Sequence, residues 1–306
     1  MLQTELAVKK RAVKVGQTRA DKAFDIMNYV LLTICFLVVA YPLYFVVIAS
    51  VSDPVDVNAG RVLLYPIKAS LDGYRRILEY ESFFTGYGNT LIYTLVGTLV
   101  NMVVTVPAAY ALSRKDLVGR NVVMMMITFT MIFSAGRIPA FLNVRDLGLI
   151  DTMWALILPV AVSTWNLIVA RTFFQQTIPD DLLEAAQLDG ATNVQFFTQI
   201  VLPLSKSILA VLVLFYAVSH WNKYEDALYY IRTDSKRPLQ LVLRSILFEN
   251  SMNDMVDDAA NLAAQMRLGD LIKYGVIIAS TLPLLILYPF LQRYFIQGVM
   301  IGAVKG

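Results

Sequence analysis

Apolar residues gather into six runs near 27–50, 88–112, 121–141, 152–171, 203–221 and 274–292. Each is close to the roughly 20 residues a helix needs to cross a hydrocarbon core. The pattern predicts six transmembrane helices with both termini on one side of a bilayer, an all-α polytopic membrane protein. The long polar stretches at 51–87 and 222–273 then cap the other side, the second carrying Glu225, Asp226, Asp254, Asp257, Asp258 and Asp270. Pro107, Pro159 and Pro283 fall inside apolar runs, where kinks are tolerated if neighbours bond the freed carbonyls; packing kinks and hinges are both open readings. No internal repeat or low-complexity tract interrupts the pattern.

Charge orients this arrangement. The segment 1–25 carries Lys9, Lys10, Arg11, Lys14, Arg19 and Lys22, and the short loop after the second run adds Arg114, Lys115 and Arg120. Basic residues in short loops stay in the cytoplasm, so both termini are expected there, with the N-terminal segment able to lie on anionic lipid. Arg75, Arg76, Lys236 and Arg237 fall in long outer loops, which weigh little in that rule. The first apolar run begins late, follows a long basic segment and lacks a small-residue cleavage site, so it is expected to remain as a span.

Composition agrees: 57% of residues are hydrophobic and 16% charged, and the mean hydropathy is +0.59. A net charge of +3 is too small to imply nucleic acid. Cys35, inside the first run, is the single cysteine, so no intrachain disulfide is possible and a packing role is expected.

Between the fourth and fifth runs lies a polar segment, 177–203, with helix-forming character. Thr177 is placed to cap it, Pro179 suits a first turn, and Asp180, Asp181 and Glu184 suit the positive end of the helix dipole. Asp189-Gly190 then reads as a C-cap, because glycine adopts the left-handed turn most cheaply. A second helical run from Asn193 to Ile200 is expected to lead through Pro203 into the fifth span.

Within this segment stand Glu184-Ala185-Ala186, three residues, Gly190, nine residues, then Ile200-x-Leu202-Pro203. The spacing resembles the EAA signature of permease subunits of binding-protein-dependent ABC importers. A plain amphipathic loop helix is the alternative. Further segments, 107–120, 143–166, 171–191, 221–230, 237–247 and 292–306, resemble the carbohydrate branch of that family. They are similar to the second permease of the maltose transporter and to oligosaccharide-uptake permeases of Firmicutes. Arg137 departs from the resemblance, following Ser-Ala-Gly where an apolar residue is expected.

The resemblance implies a type I ABC importer permease fold in the bacterial cytoplasmic membrane. Its permease domain would occupy 26–306, with a core at 88–295, a coupling helix at about 178–190 and a cytoplasmic tail at 293–306. Glu184, Ala185, Ala186, Leu188, Asp189 and Gly190 would contact a separate ATPase. The implied partners are a second homologous permease, two ATPases, an extracytoplasmic solute-binding protein, membrane lipid and a carbohydrate, with no nucleic acid. ATP and Mg would sit on the ATPases and no cofactor on this chain. By the same resemblance the tail would insert between the ATPases.

The chemistry absent from the chain agrees with a non-enzymatic role. No G-x-x-x-x-G-K-[ST] loop occurs, His220 is the sole histidine, and no metal-ligand cluster or nucleophile elbow is seen. An ion-coupled transporter would be expected to place acids inside the bilayer, and the six runs hold no Asp or Glu. A membrane scaffold would leave the EAA pattern unexplained, and an ABC permease for a non-sugar solute stays open. Candidates for a substrate pathway are Arg137, Trp154, Trp165, Asn166, Trp221 and Asn222. Arg137, near the outward end of the third run, is either a snorkelling arginine or a pathway residue. The cluster His220, Trp221, Asn222, Tyr224, Glu225, Tyr229 and Tyr230 suits an interfacial belt, an outer gate or stacking on sugar faces.

Overall fold

The computed structural model describes residues 18–252, 272–286 and 288–289. Lys9 to Lys14, the acids at 254–270 and the tail at 293–306 lie outside them. The helices in order are α1 (Arg19–Ser50), α2 (Pro54–Asn58), α3 (Asp72–Glu79), α4 (Glu81–Ser113), α5 (Arg120–Ile132), α6 (Arg137–Asp146) and α7 (Trp154–Ile157). There follow α8 (Thr164–Thr177), α9 (Asp180–Leu188), α10 (Asn193–Phe196), α11 (Leu202–Leu204), α12 (Lys206–Trp221), α13 (Glu225–Tyr230) and α14 (Leu239–Met252). The apolar helix α15 spans Ile272–Ile286. No strand occurs among the described residues.

The helix α4 is the axis of the bundle, packing on α8, α12 and α14. Its buried positions include Thr90, Gly97, Thr98, Asn101, Thr105 and Ala109, small or polar residues at helical spacing that let neighbouring backbones approach. One end of α4 is tied to the segment before α14: Asn89 Nδ2 donates to Ser235 O and Arg237 O, and Tyr93 OH to Lys236 O. The other end packs Tyr110 on Phe174, Phe196 and Phe197, beside α9 and the 114–120 loop. The segment before α14 and the α9 segment therefore lie at opposite ends of α4. By contrast α1 is exposed along most of its length, and only its last residues, Ile48 to Ser50, are buried, in a small core with Val57 and Val62.

Two helices, α1 and α4, are individually long and apolar enough to span a membrane, and three bent helix pairs reach that length and hydropathy together, each a broken span or a re-entrant loop. The bends fall in the runs at 121–141, 152–171 and 203–221, and of the three prolines read as kinks or hinges Pro159 lies at one of them. The third run breaks by 117° between α5 and α6. There Ser134-Ala135-Gly136 leaves the helix and Gly136 takes φ +84, so Arg137 begins a new helix and is not inside a continuous span. The fourth bends by 49° between 154–160 and 164–177, where Pro159 sits inside the 3-10 turn Leu158–Val160 and Ser163 caps α8. The fifth bends by 81° at Ser205, two residues after Pro203. A π-helical turn at Phe197–Val201 precedes Pro203; the wide turn relieves the clash a proline ring makes with the preceding carbonyls.

The segment joining α13 to α14 is held by Asp151, which tolerates φ 61 as short polar side chains do. It accepts from Lys236 Nζ, from the backbone N–H of Arg232 and Thr233 and from the Thr233 hydroxyl. Those donors, Lys236 foremost, hold its carboxyl far below the usual carboxylate range.

Candidate functional site

The helix α9 stands between α8 and α10 and touches the bundle by a narrow stripe. Its N-terminus differs from expectation: α8 continues through Thr177, so Pro179 occupies the N-cap without a side-chain bond, and Asp180 and Asp181 fill the first turn. Its C-terminus agrees. Gly190 takes φ +79, Gly190 N–H donates to Gln187 O and Ala191 N–H to Ala186 O, the paired bonds of a Schellman ending. Ala186 is buried and Leu183 half-buried against the core shared by α4, α8 and α12. A helix turns 100° per residue, so Glu184, Ala185 and Leu188 project from the opposite face. All three are exposed, Leu188 by 89%. No atom of the chain lies within 4 Å of where a Cβ on Gly190 would stand, so inside this chain Gly190 is needed for its φ and not for close packing.

Above α9, the break in the fourth span is closed by polar groups of which sequence reasoning had singled out only His220. Breaking a helix frees carbonyls, and in a bilayer these need donors. Asn101 on α4 supplies two, from Nδ2 to Val160 O at 2.7 Å and to Ala161 O at 2.8 Å. Its Oδ1 lies 2.6 Å from His220 Nε2 on α12. Tyr216, one turn earlier, bonds Thr105 of α4 at 2.7 Å and accepts from Ser163 N–H at 3.2 Å. Asn101, Thr105, Tyr216 and His220 are all buried. One polar joint thus fastens α4, the broken fourth span and α12. His220 fits because Gly97 has no side chain; a Cβ there would stand 2.5 Å from Nε2. An asparagine at the middle of the second apolar run was the available signal.

Beside this joint, α8 and α12 form the walls of a groove of about 830 Å³. Trp165, Asn166, Phe215, Tyr216 and Ser219 line it, giving aromatic faces next to hydrogen-bonding groups. The structure therefore brings two sequence candidates, Trp165 and Asn166, into one cavity and leaves the others outside it. Trp221 is buried, with its indole N–H bonded to Ser280 O and its ring edge-on to Tyr87. His220 and Tyr230 are buried as well. Asn222 ends α12 and donates to Val218 O; Trp154 begins α7, away from the groove.

No family model matches the chain. LplC of Bacillus subtilis (strain 168) is 38% identical over 289 residues, covering 94% of this chain and 97% of that protein. The polygalacturonan/rhamnogalacturonan transport system permease protein YtcP of the same strain is 39% identical over 288 residues, covering 94% and 99%. A chain of a bacterial ABC transporter involved in import of the acidic polysaccharide alginate superposes with a TM-score of 0.81. It is 36% identical and covers 92% of this chain and 99% of its own length. The chain belongs to the permeases of ABC importers. It is a membrane-embedded, all-α transport subunit, and the bent spans and buried joint are features of this permease.

At the far end from α9, Arg137 joins α6 to α13 of the permease. Its Nη2 pairs with Glu225, its Nη1 donates to Asp226 at 2.9 Å, and it lies 5.7 Å over the Tyr229 ring. Lys223 reaches the same Asp226 and donates to Leu156 O at 2.7 Å. This is a clasp between α6 and α13. An Arg137→Gln permease is expected to melt at a lower temperature in detergent, with the loss reduced at high salt because the pairs are solvent-screened. An unchanged melting temperature together with lost uptake would instead assign Arg137 to the pathway.

Proposed function

We propose that this permease pairs with a second, homologous permease to form the path of a carbohydrate, an oligosaccharide, into a bacterial cell. An extracytoplasmic binding protein delivers the sugar, and two separate ATPases supply the energy; the permease itself hydrolyses nothing. Residues 26–306 act as one permease domain after a basic segment, 1–25. The α9 end and both termini face the cytoplasm, consistent with Arg114, Lys115 and Arg120 beside α9.

The observation that carries this reading is where α9 sits in the chain. It follows α8 after only Ile178 and Pro179, and leads through α10 and α11 into α12. These two helices are the walls of the groove. A displacement of α9 by an ATPase therefore acts on both walls, while the outward face of Glu184, Ala185 and Leu188 is free to receive the ATPase. Asp189 and Gly190 end that face in a fixed turn. ATP-driven closure of the ATPases would move α9 and open the permease pair outward, and hydrolysis would return it inward, a rigid-body switch of the kind packed helices support.

The substrate class follows from the relatives and the groove together. Their names concern polygalacturonan, rhamnogalacturonan and alginate, polymers containing uronic acids. Trp165, Phe215 and Tyr216 offer flat faces, and Asn166 and Ser219 offer polar atoms, a combination suited to sugar rings. The test is ATP hydrolysis by the complete complex in liposomes with its binding protein and a panel of neutral and uronate oligosaccharides. Stimulation by a glycan, with no turnover by the isolated permease, is the expected result. Stimulation only by a non-sugar solute would overturn the substrate assignment, and turnover by the isolated permease would overturn the division of labour.

A further inference from the structure

At the α9 end, a cavity of about 270 Å³ opens between the ends of α4 and α8 and the starts of α5 and α9. Its walls include Arg114, Lys115, Arg120, Gln175 and Asp180, with Tyr110 and Phe174 behind them. The charges around it do not balance. Arg114 is held by Asp116, and Lys115 by Asp180 at 2.6 Å. Arg120 donates to Arg114 O at 3.0 Å, and Arg171 donates to Leu112 O at 3.0 Å. Neither of these two has a carboxylate partner among the described residues. Both are half-buried and anchored on carbonyls two residues apart; Arg120 lines the cavity itself, and Arg171 stands behind its wall. Like charges in a partly desolvated place call for an anion.

We propose that this cavity binds the phosphate of an anionic phospholipid headgroup, bracing α9 against the spans. A guanidinium fork matches phosphate oxygens better than a point charge does, and Arg120 has donors left after its carbonyl bond. Next to the cavity Leu117 and Val118 project into the surroundings, Val118 by 97%. Apolar loop residues beside unneutralised arginines at the end of membrane helices describe a lipid headgroup boundary, where basic residues gain from anionic lipid. A free phosphate shares the chemistry of the bound group, but would not explain the exposed Leu117 and Val118.

The site rests on the cytoplasmic orientation of the α9 end, which labelling of Val118→Cys from either side of sealed vesicles tests by itself. The site is tested on the assembled complex in nanodiscs of phosphatidylcholine with or without phosphatidylglycerol, followed by gentle detergent extraction and native mass spectrometry. Retention of phosphatidylglycerol several-fold above phosphatidylcholine is expected, falling to the phosphatidylcholine level in Arg120→Gln and persisting in Arg120→Lys. Gln keeps a donor for Arg114 O, so the fold has little reason to fail. If Arg120→Gln does not accumulate, Arg171→Gln serves with the same expectation. Displacement of phosphatidylglycerol by inorganic phosphate, but not by chloride of equal ionic strength, would assign the cavity to a soluble phosphate and overturn the lipid source. Equal retention of both lipids, unaffected by Arg120, overturns the proposal. So does loss of ATPase association in Arg120→Gln without any change in lipid, which would assign the cavity to an acidic side chain of the ATPase.

Discussion

A Leu188→Asp permease is expected to reach the membrane at normal abundance and to lose its ATPase. Leu188 is 89% exposed at the last turn of α9, so the carboxylate meets no packed neighbour in this chain and the fold has nothing to lose there. If α9 is received in an ATPase groove, the same carboxylate must be desolvated without a partner. Central apolar anchors of interfaces typically contribute about 2 kcal/mol or more, roughly 30-fold in affinity, and a buried unpaired charge adds to the loss. Leu183→Asp is the contrast. That residue packs into the core beside Ala186, so its carboxylate should lower abundance before any question of coupling arises. The measurement is membrane abundance, co-purified ATPase and glycan-stimulated hydrolysis from one preparation of each variant. Full stimulation in an abundant Leu188→Asp complex would sink the coupling role of α9.

The two halves of α9 were unequally legible in the sequence. Its C-terminal end could be read because Asp189-Gly190 is a local signal: only glycine enters the left-handed region cheaply, and the Schellman bonds need nothing from outside the segment. Its N-terminal end was misplaced because Thr177, a plausible cap in isolation, is the last residue of a longer α8. The spans show the same division. Their apolar character follows from composition, which the bilayer imposes on every segment alike. Their bends do not, because each depends on a partner elsewhere in the chain. Pro159 marks a place where a kink is possible, but the break is stable only because Asn101, about sixty residues earlier, bonds the freed carbonyls. Likewise Arg137 looked like a lone charge in an apolar run, since its partners Glu225 and Asp226 come from a distant cap. Charge pairing across such separations has no local trace.

A Gly97→Ala permease is expected to insert, to keep its ATPase and to lose most of its transport. The added methyl would stand 2.5, 2.6 and 2.8 Å from Nε2, Cε1 and Cδ2 of His220, against the side of a ring and not the end of a flexible chain. The ring cannot swing away freely, because it is buried and its Nε2 is engaged with Asn101 Oδ1 at 2.6 Å. Either α4 and α12 separate or the bond to Asn101 breaks. Overpacking of this kind costs about 1–3 kcal/mol, and each interhelical hydrogen bond lost in a membrane protein about 0.6–2 kcal/mol. The damage concentrates where the groove wall meets the broken span, since Asn101 is also the donor for Val160 O and Ala161 O. Gly88→Ala on the same helix is the control: no atom lies within 4 Å of its added Cβ, so it should behave as wild type. In the double variant Gly97→Ala/His220→Ser the methyl has room again but the ring is gone. Non-additive melting temperatures across that cycle would report the Gly97–His220 contact directly. Wild-type transport and melting by Gly97→Ala would show that the joint is loose at this level, and the buried polar network would then lose its claim to hold the fourth span in its bent form.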